Sequence, residues 1–161
     1  MSAELGARDL CSAALDAIVA KLREAVAVER CTLRLQARDE FYPVAHESRS
    51  PSVRSLVGDH SVPLQGQPVV EAILAGAEQV VQPDTRAASR DPAFQEMLIK
   101  YGGLGAQIVT PVRDGERLLG IISLHHLGAP REWTERELAL ARTAAALVAP
   151  LVGMTALGAG V

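Results

Sequence analysis

Residues 106–126, AQIVTPVRDGERLLGIISLHH, consist of two largely apolar runs separated by Asp114 and Gly115. Asp-Gly between apolar segments is the strongest short-range signal for a β-hairpin with a two-residue turn. The stretch therefore predicts antiparallel strands over 106–113 and 116–126. The second strand ends on two adjacent histidines, His125 and His126, so the role of these two side chains is the first functional question.

Successive side chains of a strand point to opposite faces, so the two histidines cannot face the same surroundings. Ser123 and His125 share one face, whereas Ile122, Leu124 and His126 share the other. The apolar pair suits a face covered by helices. We therefore place Ser123 and His125 on a ligand-binding face and expect His126 to be an ordinary residue at a strand end.

The remaining elements follow from hydrophobic periodicity and from proline, glycine and capping signals. Two short helices begin at a proline and end at a glycine, and Thr134 with Glu137 forms a capping box that opens a long helix. The predicted helices are 9–28, 68–76, 92–103 and the segment from Thr134 onward, and the predicted strands are 31–37, 41–48, 78–84, 106–113 and 116–126.

This element order predicts an α+β fold with a central, mostly antiparallel sheet of five to six strands. The first and last helices are expected on one face of the sheet, and the short helices and loops between 49 and 103 on the other. We predict one domain over residues 9–152, with a flexible N-terminus at 1–8 and a flexible tail at 153–161.

Composition excludes several classes of protein. The chain has 161 residues, a formal net charge of −3 and only 3% aromatic residues, so we expect no nucleic-acid partner. It shows no uninterrupted apolar stretch long enough for a membrane span and no secretory signal, which favours the cytoplasm and reduced cysteines. The four histidines lack the spacing of metal-binding motifs, and we expect no metal.

The ordered motifs VVQPDTR (80–86), PV.DG...LG..SLH (111–125) and R.W...E (131–137) resemble a GAF domain, a small-molecule-sensing module related to the PAS fold. The resemblance implies a pocket between the sheet and the 49–103 segment, with a small organic ligand bound reversibly. SLHHLGAPR also resembles phytochromes and cyanobacteriochromes, in which a histidine at this strand end contacts a linear tetrapyrrole. Their Cys-His on the pocket helix is replaced here by Phe94-Gln95, so we expect no bilin.

The residue types suggest how such a pocket would bind its ligand. Arg34 could pair with a carboxylate or phosphate through its fork of donors, and Phe94 and Met97 would form an apolar roof. His46 is placed at the pocket mouth, and Thr110 offers a hydroxyl group from a neighbouring strand. The predicted ligand-binding residues are Arg34, His46, Phe94, Met97, Thr110, Ser123 and His125.

Three functions remain open. The first is a sensor without catalytic residues. No output domain follows residue 152 in the sequence, so we expect it to signal in trans through its terminal helices. Their alanine-rich faces suit a homodimer, which Ala145→Glu should disrupt. The second is a small enzyme in which His125 or His46 acts as a base, or Cys31 as a redox thiol. The third is a protein-interaction adaptor with a vestigial pocket.

Overall fold

A computed structural model describes residues 2–159, and for residues 2, 4, 5 and 155–159 it describes the backbone only. Ten helices and strands follow one another along these residues in the predicted order, with one additional short helix. They are α1 (Ser2–Val26), β1 (Arg30–Leu35), β2 (Val44–Arg49), α2 (Pro68–Leu74), β3 (Val80–Gln82), α3 (Thr85–Ala88), α4 (Pro92–Lys100), β4 (Leu104–Asp114), β5 (Arg117–Leu127) and α5 (Glu135–Ala159).

The five strands form one antiparallel sheet in the order β2-β1-β5-β4-β3. This confirms the predicted α+β architecture. The β4–β5 hairpin is present, but Asp114 pairs with Arg117, so the turn consists of Gly115 and Glu116. Gly115 has a φ of 59°, which a residue without a Cβ adopts without steric cost.

The helix layer covers one face of the sheet. α1 and α5 pack side by side and bury an aliphatic core against β1, β4 and β5. Its most completely buried side chains include Val19, Leu33, Ile108, Leu124 and Val148. The shortage of aromatic residues therefore does not prevent a core, because Leu, Val, Ile and Ala fill this layer.

The cover layer lies on the opposite face and consists of α2, α4 and the loop 50–67. A second apolar cluster fills the space beneath it, with Phe94 and Ile73 both fully buried. Tyr101 closes α4 at its C-terminal end and is also buried. The sheet thus separates two cores, one under the terminal helices and one under the cover.

The corner into α5 has the predicted capping box. The Thr134 hydroxyl accepts a hydrogen bond from the Glu137 amide at 3.1 Å, and the Glu137 carboxylate accepts one from the Thr134 amide at 2.9 Å. Burial opposes ionisation of Glu137, but hydrogen bonds from Thr134 and Arg131 outweigh it and lower the pKa. Trp133 closes the corner by donating its indole N–H to the Gln82 carbonyl at 3.2 Å.

Several boundaries differ from the sequence-based expectation. α1 already begins at Ser2 and α5 continues to Ala159, so helix extends through most of the segments that we expected to be flexible. Met1 and residues 160–161, which also belong to those segments, lie outside the described residues. α3 forms inside a segment that reads as a polar loop, and β1 begins one residue early, at Arg30.

Within the described chain, α5 is long and apolar enough to cross a membrane by length and composition alone, with a mean hydropathy of 1.4 over Glu135–Met154. This is weak evidence, because a helix that packs in a protein core passes the same test. The inner face of α5, including Ala141 and Val148, is buried in the helix layer. The absence of a membrane partner stays a prediction.

Candidate functional site

A small cavity lies between the sheet and the cover layer. Its sheet wall is largely polar, and its cover wall includes Val69, Phe94 and Met97. The cavity volume is about 40 Å³, far below the roughly 300–1,000 Å³ of typical small-molecule sites. The side chains that give the sheet wall its polar character are Thr32, Arg34, Gln107, Ser123 and His125. The cavity is therefore nearly closed, with polar side chains on its sheet wall.

The structure places five of the seven predicted residues around this cavity. Arg34 comes from β1, Phe94 and Met97 from α4, and Ser123 and His125 from β5. Ser123 and His125 therefore lie on the same face of β5, as the alternation of side chains predicted. Ligand binding by these five residues stays a prediction.

His46 and Thr110 do not line the cavity, so their predicted positions are wrong. His46 pairs with Leu33 across the sheet and therefore shares its helix-facing side, where the His46 Nδ1 lies 2.6 Å from the Asp16 carboxylate of α1. Thr110 pairs with Ile122 and faces the same layer, accepting a hydrogen bond from Gln79 at 3.0 Å. Directly opposed residues of an antiparallel pair share a face of the sheet. The pattern within one strand does not show which residues of the next strand lie opposite, so it could not place His46 and Thr110.

His125 lines the cavity and is buried, with 3% of its surface exposed. Its Nδ1 lies 3.1 Å from Arg30 Nη1, and its ring stacks on Tyr101 with 5.8 Å between ring centroids. A guanidinium can only donate, so Nδ1 is the acceptor and the imidazole proton lies on Nε2. Burial, followed by the charges of Arg30 and Arg34, holds the pKa of His125 well below its usual value.

Arg30 is the principal residue that the sequence analysis missed. Its side chain is fully buried and donates to the carbonyls of Tyr101 at 2.9 Å and Arg54 at 2.8 Å. Burial lowers its pKa, and its Nε has no hydrogen-bond partner among the described residues. Arg30, Thr32 and Arg34 alternate along β1 and could have indicated a polar face that includes Arg30. The sequence analysis began this strand at residue 31 and so left Arg30 out.

Tyr101, Gln67 and Gln107 were also missed. Tyr101 connects the cover to the sheet, because its hydroxyl accepts a hydrogen bond from Arg34 Nη2 at 3.0 Å while its carbonyl binds Arg30. Gln67, at the start of α2, has a buried Oε1 without a hydrogen-bond partner in the described chain. Gln107 lines the cavity and donates to Gln82 at 2.8 Å. No sequence pattern identifies these two glutamines, or a tyrosine followed by two glycines, as pocket residues.

The residues proposed for an enzyme are not gathered at this cavity. Cys31 is fully buried in the helix layer, and burial raises its pKa to about 12, whereas thiol chemistry requires a thiolate. His46 lies on the other face of the sheet, and His125 has an arginine rather than a carboxylate as its partner. Among the residues described, no group of three or more His, Cys, Asp or Glu side chains could hold a metal ion.

Solved structures share this fold. The blue-light-absorbing form of the Thermosynechococcus elongatus PixJ GAF domain is 22% identical, with a TM-score of 0.71 over 100% of this chain and 96% of that one. GAF3 from Slr1393 of Synechocystis sp. PCC6803 is 21% identical, with a TM-score of 0.75 over 92% and 97% of the two chains. The phycocyanobilin-bound GAF domain of a cyanobacterial phytochrome is 19% identical, with a TM-score of 0.73 over 91% and 86%. A search of curated proteins found no match.

These neighbours correct one expectation from the sequence. We expected no bilin because the pocket helix lacks the Cys-His pair, yet structures similar over most of this chain are bilin-bound GAF domains. The expectation was wrong because it rested on a single pair of positions. The shape of the sheet and its cover depends on packing throughout the domain, and that shape is the one found in bilin-bound proteins.

The architecture agrees with the family-level comparison. The model of the GAF domain matches residues 11–151, which include all five strands and most of both terminal helices. The same residues contain both cores, the cavity and the capped corner into α5. The chain therefore belongs to the GAF domain family.

Proposed function

We propose that this GAF domain is a sensor that binds a small organic molecule reversibly, without chemical conversion, in the cavity between the sheet and its cover. The observation that carries the proposal is the composition of the cavity wall. Polar side chains from β1, β4 and β5 converge on one side, and apolar side chains from α2 and α4 form the other. Ligand sites generally combine an apolar lining with a few placed polar groups.

Binding requires the cover to move, because a cavity of about 40 Å³ holds little more than water. Tyr101 links the two layers through its carbonyl, its hydroxyl and its ring. Displacing the cover would therefore change the contacts of Arg30, Arg34 and His125 together. A ligand that binds the open form better shifts the population toward it, which is the physical basis of the sensing that we propose.

Bilins are among the ligands to be tested, since similar GAF domains bind them. The chain has two cysteines, Cys11 and Cys31. Neither of them lines the cavity. A bilin would therefore be held here without a thioether bond from a cavity cysteine, by the polar wall and the apolar cover. The two free, buried thiols are also consistent with the cytoplasmic location that we propose.

We propose a second copy of this chain as the partner at the terminal helices. α5 exposes the large apolar side chains Leu147 and Met154, and only 28% of its Glu135–Met154 stretch is buried. Exposed apolar patches on a protein surface commonly mark interaction sites. An open groove of about 330 Å³ runs between α1 and α5, lined by Ile18, Leu140 and Leu147. Ligand-induced shifts would pass through this interface to a signalling partner.

The test is a native mass spectrum of the freshly purified protein, paired with its denatured mass. A sensor carrying its ligand shows an excess mass per subunit that is lost on denaturation, and the dimer shows two subunits. The matched variants are Arg34→Gln at the cavity wall and Arg136→Gln on the exposed side of α5. The excess mass should fall in the first and persist in the second. Equal loading of both variants would contradict the proposed site.

The small cavity favours a second candidate function, the adaptor with a vestigial pocket. In that case the protein is purified without excess mass, and added bilins and organic acids leave the melting temperature unchanged. Hydrogen exchange would separate the two functions. A sensor gains protection over the cover loop, residues 50–67, on adding ligand, whereas an adaptor shows no such response.

A further inference from the structure

We infer that the molecule bound in this cavity carries a carboxylate group, received by the Arg34 guanidinium and the Nε2–H group of His125, and that Arg30 is the positioning residue that keeps His125 in this tautomer. The inference rests on the proposed function, because it names the ligand class of the same cavity. Two observations carry it. Arg30 and Arg34 lack the carboxylate partners that neighbouring arginines have, and the hydrogen bonds of Arg30 fix the tautomer of His125.

The charges beneath the cover do not balance. Arg30 and Arg34 take part in no ion pair within the described residues, and their acceptors are carbonyl groups, a hydroxyl group and a neutral imidazole. Two neighbouring arginines do have carboxylate partners: Arg49 lies 3.4 Å from Glu47, and Arg54 lies 2.7 Å from Asp59. Two positive charges are therefore left under the cover without a bonded anion.

Glu47 offsets this excess only in part. It raises the pKa of Arg30 through its charge, but its oxygens accept hydrogen bonds from the Ser55 hydroxyl at 2.6 Å and the Leu56 amide at 2.8 Å. Its carboxylate thus holds the cover loop and makes no direct contact with either unpaired arginine. Arg30 is fully buried and Arg34 is half-buried. A buried charge is stabilised when it is paired and hydrogen-bonded, so a ligand anion at the cavity wall would pair with Arg34 directly and offset the charge of Arg30 behind it.

The donors at the cavity wall point to one kind of anion. His125 Nδ1 is occupied by Arg30, so the N–H on Nε2 remains as the donor, and no hydrogen bond from it is found in the described part of the chain. Arg34 uses Nη1 for the Tyr42 carbonyl and Nη2 for the Tyr101 hydroxyl, both at 3.0 Å, and a guanidinium has five N–H groups in all. The hydroxyls of Thr32 and Ser123 lie on the same wall.

A carboxylate fits this wall better than a phosphate. A planar guanidinium and a planar carboxylate match in geometry and charge, and Arg34 is the single arginine among the cavity-lining residues of the described chain. The opposite side is mostly apolar: Val69, Phe94 and Met97 suit hydrocarbon, and Gln67 adds one polar group at the start of α2. The ligand class is therefore an organic acid with an apolar body attached to its carboxylate.

Matched acid and amide probes test the ligand class on the intact chain. The pairs are acetate with acetamide and phenylacetate with phenylacetamide, with binding followed by calorimetry and by the amide resonances of β1 and β5. We expect the acid of each pair to bind at least tenfold more tightly. Arg34→Gln should abolish that preference, and Arg136→Gln, which removes the same charge from the exposed side of α5, should retain it.

Each outcome has a distinct meaning. Equal binding of acid and amide, with Arg34→Gln unaffected, overturns the carboxylate inference and leaves the sensor proposal standing. Failure of all four probes to bind overturns the inference and also counts against the proposed ligand site. An acid preference that persists in Arg34→Gln and disappears in Arg136→Gln places the anion site outside the cavity.

The positioning role of Arg30 has a spectroscopic test on the wild-type protein. The ¹⁵N shifts of the His125 side chain should report a neutral ring with its proton on Nε2, as required by donation from Arg30 to Nδ1. Arg30→Lys, which keeps a buried donor, is expected to weaken this bias and to lower the affinity for phenylacetate. A ring protonated on Nδ1 in the wild type overturns the assignment, whether or not the variant folds.

Discussion

At the scale of single residues, neighbours across the sheet decide more than residue type does. His125 and His46 are both strand histidines, yet one is buried against Arg30 at the cavity and the other pairs with Asp16 on α1. The alternation of β5 was sufficient to place His125. The placement of His46 required the register of β2 against β1, which is irregular between Leu33 and Arg34. A bulge of this kind has no sequence signature here.

The buried, neutral His125 predicts a pH dependence of stability. Its pKa in the folded state lies well below the 6.5 expected for the unfolded chain. Below pH 6.5 the unfolded chain therefore binds a proton that the folded chain does not, and the free energy of unfolding falls as pH falls. The contribution is at most about 1.4 kcal/mol per pH unit. Urea unfolding between pH 7 and pH 5 measures it.

His125→Gln removes this contribution, because glutamine does not titrate and its amide oxygen can still accept from Arg30. His60→Gln, on the exposed loop, is the control and retains it. The same slope in His125→Gln as in the wild type would contradict the buried neutral histidine.

Gly120 is required by the close approach of β1 and β5. A Cβ at this position would meet the Arg34 carbonyl oxygen at 2.4 Å, so the strands would have to separate. We expect Gly120→Ala to lower the free energy of unfolding by about 1–3 kcal/mol. Gly153→Ala, in α5 with nothing within 4 Å of its new Cβ, should be neutral or stabilising. Equal effects in denaturant titrations would show that the strand contact is not the cause.

At the scale of elements, local signals determined helix starts and the hairpin. The capping box at Thr134 and Glu137 is a short-range device, so it could be read directly from four residues. The proline-initiated helices α2 and α4 begin where the sequence indicated. α3 was not predicted because Thr85–Ala88 is too short to show helical periodicity. Its buried Thr85 hydroxyl donates a hydrogen bond to the Leu104 carbonyl on β4, which is a contact outside the local sequence.

The capping box should contribute measurably to stability. Thr134→Ala removes the acceptor of the Glu137 amide, and we expect a loss of about 1 kcal/mol in the free energy of unfolding. Ser12→Ala, on the exposed side of α1 and outside the groove between α1 and α5, is the control and should change stability by a few tenths of a kcal/mol. Chemical denaturation measures the free energy of unfolding of both variants. A loss in Thr134→Ala no larger than that in the control would contradict the capping role of Thr134.

At the scale of the whole molecule, the outer side of the terminal helices is the surface where we propose a second copy of the chain. The sequence-based test, Ala145→Glu, is unsuitable, because Ala145 is 6% exposed and packs in the core of its own domain. A charge there would disturb folding. Leu147 is 55% exposed and lines the groove between α1 and α5, so it tests the interface without entering the core.

Leu147→Glu is therefore expected to convert a dimer into monomers at micromolar concentration, as measured by light scattering. Ile99→Glu places the same charge at a residue that is 77% exposed on α4, away from the groove, and should leave the dimer intact. Unchanged mass in Leu147→Glu, or dissociation in both variants, would exclude this groove as the interface.

The amino-acid sequence by itself determined the element order apart from α3, the β4–β5 hairpin, the capped corner and the face of β5 that bears Ser123 and His125. These features depend on residues close together in the chain, where periodicity, turn residues and capping pairs act directly. The sequence did not reveal the Arg30–His125–Tyr101 cluster, the positions of His46 and Thr110, or how nearly closed the cavity is. Those depend on strand register and on packing between residues as much as 95 positions apart, which only the tertiary structure brings together.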